Sequence, residues 1–114
     1  MARCDRGYLC AVCGHEVENL TDSVLYLLYV LGEIPAEQLH RLPERHIRCE
    51  PSLAQYIDDA GFASVTCEGP FDRRTLDAEF ATGEVQRVTA GWRRLQSIPG
   101  SGMTILDYPL SDSY

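Results

Sequence analysis

The chain has 114 residues, of which 45% are hydrophobic and 24% charged, values that are ordinary for one globular domain. The net charge of -7 excludes the broad basic surface that binds phosphate backbones of nucleic acids. All 10 cationic residues are Arg, which excludes lysine Schiff-base chemistry and a Gly-Lys-Ser/Thr phosphate loop. We expect a single domain over residues 1–114, with a polar tail from about residue 109.

The N-terminal residues predict no signal peptide, because no apolar run follows the charges of residues 1–7. The longest apolar run covers residues 24–31, far below the roughly 20 residues that span a bilayer. We therefore expect a cytoplasmic protein without a membrane partner. In that reducing compartment, five cysteines indicate metal ligands or buried thiols rather than disulfides.

The first third of the chain predicts a tight turn followed by helices. Residues 7–17 form the turn between two short extended pieces, with Gly14 free to adopt positive φ. The apolar run 24–31 has N-cap candidates before it and Gly32 after it, which favours a central helix. A buried strand stays the alternative, because every position of the run is apolar. Residues 34–42 predict a second short helix, ended by Pro43.

The middle of the chain predicts a loop, a helix and a strand. Residues 44–50 form the loop, and Pro51 suits the first turn of a helix that Gly61 ends. Residues 62–67 then read as a short strand.

The last third predicts two more helices and a final strand. Asp72 is a cap for a short helix over residues 73–80. A separate amphipathic helix follows, marked by apolar residues at helical spacing, which are Val85, Val88, Trp92 and Leu95. Residues 103–108 predict a strand that pairs with residues 62–67. The expected fold class is α+β and mainly helical, with an N-terminal zinc knuckle packed on a helical core and a small two-stranded sheet.

Two pairs of residues in this sequence are of the types that bind metal ions. Cys10 and Cys13 form one Cys-x-x-Cys pair, and His46 and Cys49 form a His-x-x-Cys pair. Three thiolates and one imidazole are a set that a structural zinc ion accepts in a tetrahedron. We therefore predict one structural zinc per chain, bound by these four residues.

Three further residues are possible replacements for a predicted ligand, namely Cys4, His15 and Cys67. For Cys67 the competing interpretation is a small buried residue on a strand, because free cysteine is commonly buried. For His15, and for His40 as well, it is a surface or capping histidine.

Residues 8–14 and 46–55 together resemble the zinc sites of treble-clef and zinc-ribbon proteins. In those proteins a Cys-x-x-Cys knuckle meets a second ligand pair near the start of a helix. The resemblance implies that a zinc ion joins the N-terminal segment to the middle of the chain. It implies no particular activity, because these motifs occur in proteins of many unrelated functions.

Several functions are compatible with these residues. We expect a small intracellular zinc-binding protein that is not an enzyme and acts through contacts with another protein. A small metalloenzyme is one alternative, with Glu16, Glu44 or Glu50 as a base if one ligand position were open. A thiol-redox enzyme using Cys10 and Cys13 is another. The acidic charge also fits an immunity or antitoxin-type protein that neutralises a basic partner.

Nucleic acid is not the partner that the sequence favours. The local arginines near the second ligand pair, Arg41, Arg45 and Arg48, alternate with acidic residues. If the zinc is structural, function belongs elsewhere, and residues 68–74 and the arginine-bearing face of the last helix are the places to seek it. The oligomeric state stays open.

Overall fold

The computed structural model describes residues 8–109. Within this range the protein is mainly helical, with three α-helices: α1 (Val24–Val30), α2 (Pro51–Ala54) and α3 (Ala78–Ser97). The N-terminal residues 1–7, which include Cys4, and the tail 110–114 lie outside the described residues. No helix in the described range has both the length and the apolar character needed to cross a membrane.

The strands are short and lie at the start of the described chain. Strand β1 (Tyr8–Leu9) pairs antiparallel with β2 (Glu16–Val17), with Leu9 opposite Glu16. They are the two extended pieces predicted on either side of the turn. The predicted pairing of residues 62–67 with 103–108 is wrong, because neither segment forms a strand.

Helix α1 is the buried centre of the fold, as predicted, and the strand alternative is wrong. Ser23 caps it by accepting a hydrogen bond from Tyr26 N at 3.1 Å. Gly32, with φ at 80°, follows the last turn. Most of the helix is buried, including Val24, Leu25, Leu27, Tyr29 and Val30. An all-apolar run of this length forms a helix here because its capping residues satisfy the first free N–H groups.

Helix α3 packs against α1 and is longer than the sequence predicts. Its inward face contains Val88, Trp92 and Leu95, which confirms the predicted apolar face. The predicted division into a helix over 73–80 and a separate amphipathic helix is wrong. Asp72 caps only the 3₁₀ turn Arg73–Thr75, and Asp77 caps one continuous 20-residue helix. A helix of that length tolerates Gly83, whose penalty is only about 1 kcal/mol.

The predicted second helix and the helix beginning at Pro51 are both shorter than expected. Residues Ala36–His40 form a 3₁₀ helix instead of an α-helix. Helix α2 does begin at Pro51, but it ends at Ala54 rather than near Gly61. The chain then turns, and Phe62 packs edge-on against Trp92 with ring centroids 5.7 Å apart.

The segment after the last helix lies on α1 and α3 instead of forming a strand. Residues Ile105–Asp107 form a 3₁₀ turn. Tyr29 donates its hydroxyl to Ile105 O at 2.9 Å, and Arg94 Nε donates to Tyr108 O at 3.2 Å. These bonds, with the tyrosine ring contacts of Tyr108, hold residues 103–108 away from residues 62–67.

The contact between α1 and α3 depends on a glycine. A Cβ atom at Gly91 would overlap Leu31 Cδ2 and lie 3.0 Å from Leu31 Cγ. Leu31 is itself buried. By contrast, a Cβ atom at Gly83 in the same helix would meet nothing within 4 Å. Substitutions at these two positions of the same helix therefore differ mainly in whether the added Cβ atom meets a neighbour.

We expect Gly91→Ala to be less stable than Gly83→Ala by about 1–3 kcal/mol, the usual penalty for overpacking a core. Gly83→Ala should itself stabilise the protein by about 0.5–1 kcal/mol, because alanine favours the helix. Urea unfolding of both variants and the wild type measures the difference. Equal stability of the two variants would contradict the close contact at Gly91.

Candidate metal centre

The β1–β2 hairpin holds the first ligand pair in a fixed turn. Cys10 N donates to His15 O at 2.8 Å, and Gly14 N donates to Cys10 O at 2.9 Å. Gly14 has φ of 78°, a conformation that other residues rarely adopt. The N–H groups of Val12 and Cys13 point at Cys10 Sγ, with N···S distances of 3.4 and 3.5 Å. The predicted positive φ of Gly14 is confirmed.

The second ligand pair is held in place by a residue buried in the core. His46 and Cys49 flank Ile47, whose side chain is completely buried. The 3₁₀ turn Ile47–Cys49 brings the two ligands to one side, with Cys49 N donating to His46 O at 2.9 Å. Helix α2 begins at Pro51, so the pair lies just before a helix, as the sequence predicts.

The imidazole of His46 is oriented by the hairpin. Its Nε2 lies 2.9 Å from the carbonyl oxygen of Glu16, which can only accept, so Nε2 donates the hydrogen bond. In the neutral ring Nδ1 then carries the lone pair, and it faces Cys13 Sγ at 3.3 Å and Cys49 Sγ at 3.9 Å. A metal-ligating histidine nearly always donates its other ring N–H to a carbonyl or carboxylate. The ring of His46 has that arrangement.

The four ligand atoms are close enough for one metal ion. Those of Cys10, Cys13, His46 and Cys49 all lie within 4.8 Å of one another. In a tetrahedron with Zn–S near 2.3 Å and Zn–N near 2.0 Å, ligand atoms are separated by roughly 3.5–3.8 Å. The observed spacing therefore needs only small side-chain movements to surround an ion. Metal binding by these four residues remains a proposal, and the geometry allows it.

The thiols are electrostatically unequal. Burial raises the pKa of Cys10, but hydrogen bonds from the N–H groups of Cys13, His46 and Val12 outweigh it and lower the pKa to about 6. Burial, followed by the neighbouring sulfurs, raises the pKa of Cys49 to about 11. Burial opposes charge on His46, yet the hydrogen bond to Glu16 O leaves its pKa raised. A cation among these sulfurs would remove the repulsion that keeps Cys49 protonated.

A buried acid, Glu44, links the candidate centre to α1. Its carboxylate accepts hydrogen bonds from Ser23 Oγ at 2.7 Å, Arg45 N at 3.0 Å and Leu25 N at 3.3 Å. Its backbone oxygen accepts from Ala11 N in the hairpin at 2.8 Å. The sequence indicates Glu44 only as a possible base. It does not predict the buried hydrogen-bond network, because an isolated Glu in a polar loop carries no signal of burial.

Of the remaining candidate residues, those that the structure describes lie outside this cluster. Cys4 lies outside the described residues. Among described residues, His15 is exposed and Cys67 is buried, and neither joins the four-residue group. Glu50 pairs with Arg45 at 3.0 Å and accepts from Ser52 Oγ at 3.1 Å, so its carboxylate is already engaged.

No family model, curated protein or solved structure matches this sequence. The resemblance to treble-clef and zinc-ribbon proteins therefore rests on the four clustered residues and on their local geometry alone.

We expect Glu44→Gln to lower the free energy of unfolding by about 1–3 kcal/mol, because a buried network loses its charged acceptor. Glu37→Gln removes the same charge from an exposed position and should change stability by less than about 0.5 kcal/mol. Chemical denaturation of both variants, at equal metal content, makes the comparison. If the two variants are equally stable, the carboxylate of Glu44 does not hold α1 as described.

Proposed function

We propose that this chain is a small zinc-binding protein in which Cys10, Cys13, His46 and Cys49 hold one structural zinc ion. The observation that carries the proposal is the gathering of the four ligand atoms within 4.8 Å. The orientation of the His46 ring by Glu16 O supports it independently, because it aims Nδ1 at the sulfurs. Zinc is the favoured metal because three thiolates and an imidazole suit tetrahedral zinc.

A structural role is favoured over a catalytic one by the number and chemistry of the ligands. Four protein ligands close the coordination shell, whereas catalytic zinc keeps one position for water or substrate. Of the three acids considered as a base, Glu16 contacts His46 through its backbone carbonyl, whereas Glu44 and Glu50 have carboxylates committed to hydrogen bonds or an ion pair. Neither is free to activate a water molecule at the metal.

A thiol-redox role for Cys10 and Cys13 is disfavoured by their setting. Reactive Cys-x-x-Cys pairs usually lie at the N-terminus of a helix, whose dipole stabilises the thiolate. Here the pair lies in the turn of the β1–β2 hairpin. The hydrogen bonds to Cys10 Sγ instead resemble those that prepare a sulfur to bind a metal.

Protein purified without added metal should contain about one zinc per chain, and Cys49→Ser should lose it. Zinc binding to zinc-finger peptides contributes about 10–16 kcal/mol, which equals or exceeds the stability of most domains. We therefore expect Cys49→Ser, and chelation of the wild type, to unfold the hairpin. Elemental analysis and heteronuclear NMR of the backbone amides measure both effects.

Cys67→Ser is the control for the loss of a thiol, because Cys67 is a buried free cysteine that lies outside the cluster. It should keep the metal. A wild-type protein without zinc would overturn the central claim. A Cys49→Ser protein that stays folded but loses an activity would instead favour a catalytic metal.

The same proposal includes a protein partner, and the surface beside the hairpin supports it. Leu9 and Val12 flank Cys10 in sequence and are 66% and 61% exposed. Zinc would hold the turn rigid, so these apolar side chains would be presented without the entropy loss of ordering a loop. The net charge of -7 favours a partner with basic residues around an apolar contact.

Affinity capture from the source cells should recover a basic protein that fails to bind a Leu9→Ser, Val12→Ser double variant. Leu106→Ser is the control, since Leu106 is 79% exposed and lies in the C-terminal segment. Binding of the purified partner, measured by calorimetry, should repeat the difference. Capture that is unaffected by the double variant would refute this contact surface.

A further inference from the structure

A small cleft is formed by residues that follow α2 in the chain. It lies between residues 64–67 and residues 72–74. Its volume is about 200 Å³, and Gln55 of the segment after α2 also lines it. Pockets that take drug-sized ligands are larger, about 300–1,000 Å³. The cleft is therefore of a size for a small group, and the chemistry of its walls decides which group.

The side-chain oxygens of Asp72 and Gln55 in the wall are already engaged. Asp72 Oδ1 accepts from Arg74 N at 2.9 Å, and Asp72 Oδ2 accepts from Arg74 Nη2 at 2.6 Å. Gln55 Oε1 accepts from Arg73 N at 2.8 Å, while its amide nitrogen donates to Phe71 O at 2.7 Å. These groups have little capacity left for a cation or for a hydrogen-bond donor.

Three lining side chains, in contrast, have donors that are not engaged. Within residues 8–109 the guanidinium of Arg73 makes no hydrogen bond or ion pair, and the hydroxyls of Ser64 and Thr66 make no hydrogen bond to protein. Arg73 is nevertheless fixed at its backbone, because its N–H is bonded to the buried Gln55. The cleft thus presents one cation, restrained at its backbone, and two hydroxyl donors.

The charged residues that line the cleft leave it with a positive charge, which also favours an anion. Asp72 and Arg74 neutralise each other in a bidentate pair, and that pair holds the pKa of Asp72 at about 2. Arg73 is then the uncompensated charge among the lining residues. Glu68 lies near enough to influence Arg74, and it reduces the positive potential without closing the cleft.

We propose that this cleft binds an oxyanion, as the phosphate or carboxylate group of a small molecule, with Arg73 as its charged contact and Thr66 and Ser64 as hydroxyl donors. An oxyanion accepts hydrogen bonds and carries negative charge, so it matches a guanidinium without an ion pair beside two free hydroxyl groups. The proposal does not depend on the metal centre, and it gives the 68–74 loop a binding role beyond that of a turn.

The test is a titration of the full-length protein with inorganic phosphate and, separately, with acetate, followed by amide NMR. At least one anion should give saturable shifts confined to residues 64–74 and Gln55. Arg73→Gln should weaken that binding at least about tenfold, because a charge-assisted hydrogen bond is lost. Thr66→Val keeps the side-chain shape and should weaken it by a smaller factor. The anion that binds more tightly identifies the ligand group.

Arg41→Gln is the control for charge alone, since Arg41 is also exposed but does not line the cleft. It should bind the anion as the wild type does, and a folded spectrum of Arg73→Gln excludes unfolding as the cause of its loss. Absence of saturable shifts with both anions would overturn the proposal. Equal binding by Arg73→Gln and wild type, or equal weakening by Arg41→Gln, would overturn it as well.

Discussion

The arrangement of the other elements depends on the hydrogen bonds that the buried carboxylate of Glu44 accepts. A buried carboxylate is tolerated only where its oxygens are hydrogen-bonded, and here they bond to the N-terminus of α1 and to its cap, Ser23. The backbone of the same segment pairs with Ala11 in the hairpin, and Arg45 O accepts from Val24 N. One short stretch therefore fixes the hairpin, the start of α1 and the loop of the second ligand pair.

This junction explains why the candidate ligands meet although 32 residues separate the two pairs in sequence. His46 forms a β-bridge with Ser23 and donates its backbone N–H to Cys10 Sγ. Main-chain bonds and the buried Ile47 thus hold the two segments that carry these residues next to each other. A bound ion would reinforce that closure by linking the two ends of a long loop.

The sequence predicted the features that have strong local signals. Residue type and spacing predict the grouping of the two Cys/His pairs, the positive φ of Gly14, helix α1 between its caps and the inward position of Trp92. The strands predicted for residues 62–67 and 103–108 are wrong. Short apolar runs have the same sequence pattern whether they pair as strands or pack as loops. Their positions are decided by distant contacts, such as Phe62 on Trp92 and Tyr29 on Ile105 O.

The close approach at Gly91 has a consequence for how this sequence can vary. Because Leu31 occupies the space that a side chain at position 91 would need, the two positions form a single packing unit. A larger residue at 91 is compatible with the fold only together with a smaller one at 31, so their substitution effects are not additive. In any set of related sequences, positions 31 and 91 should covary, with Gly at 91 accompanying a large side chain at 31.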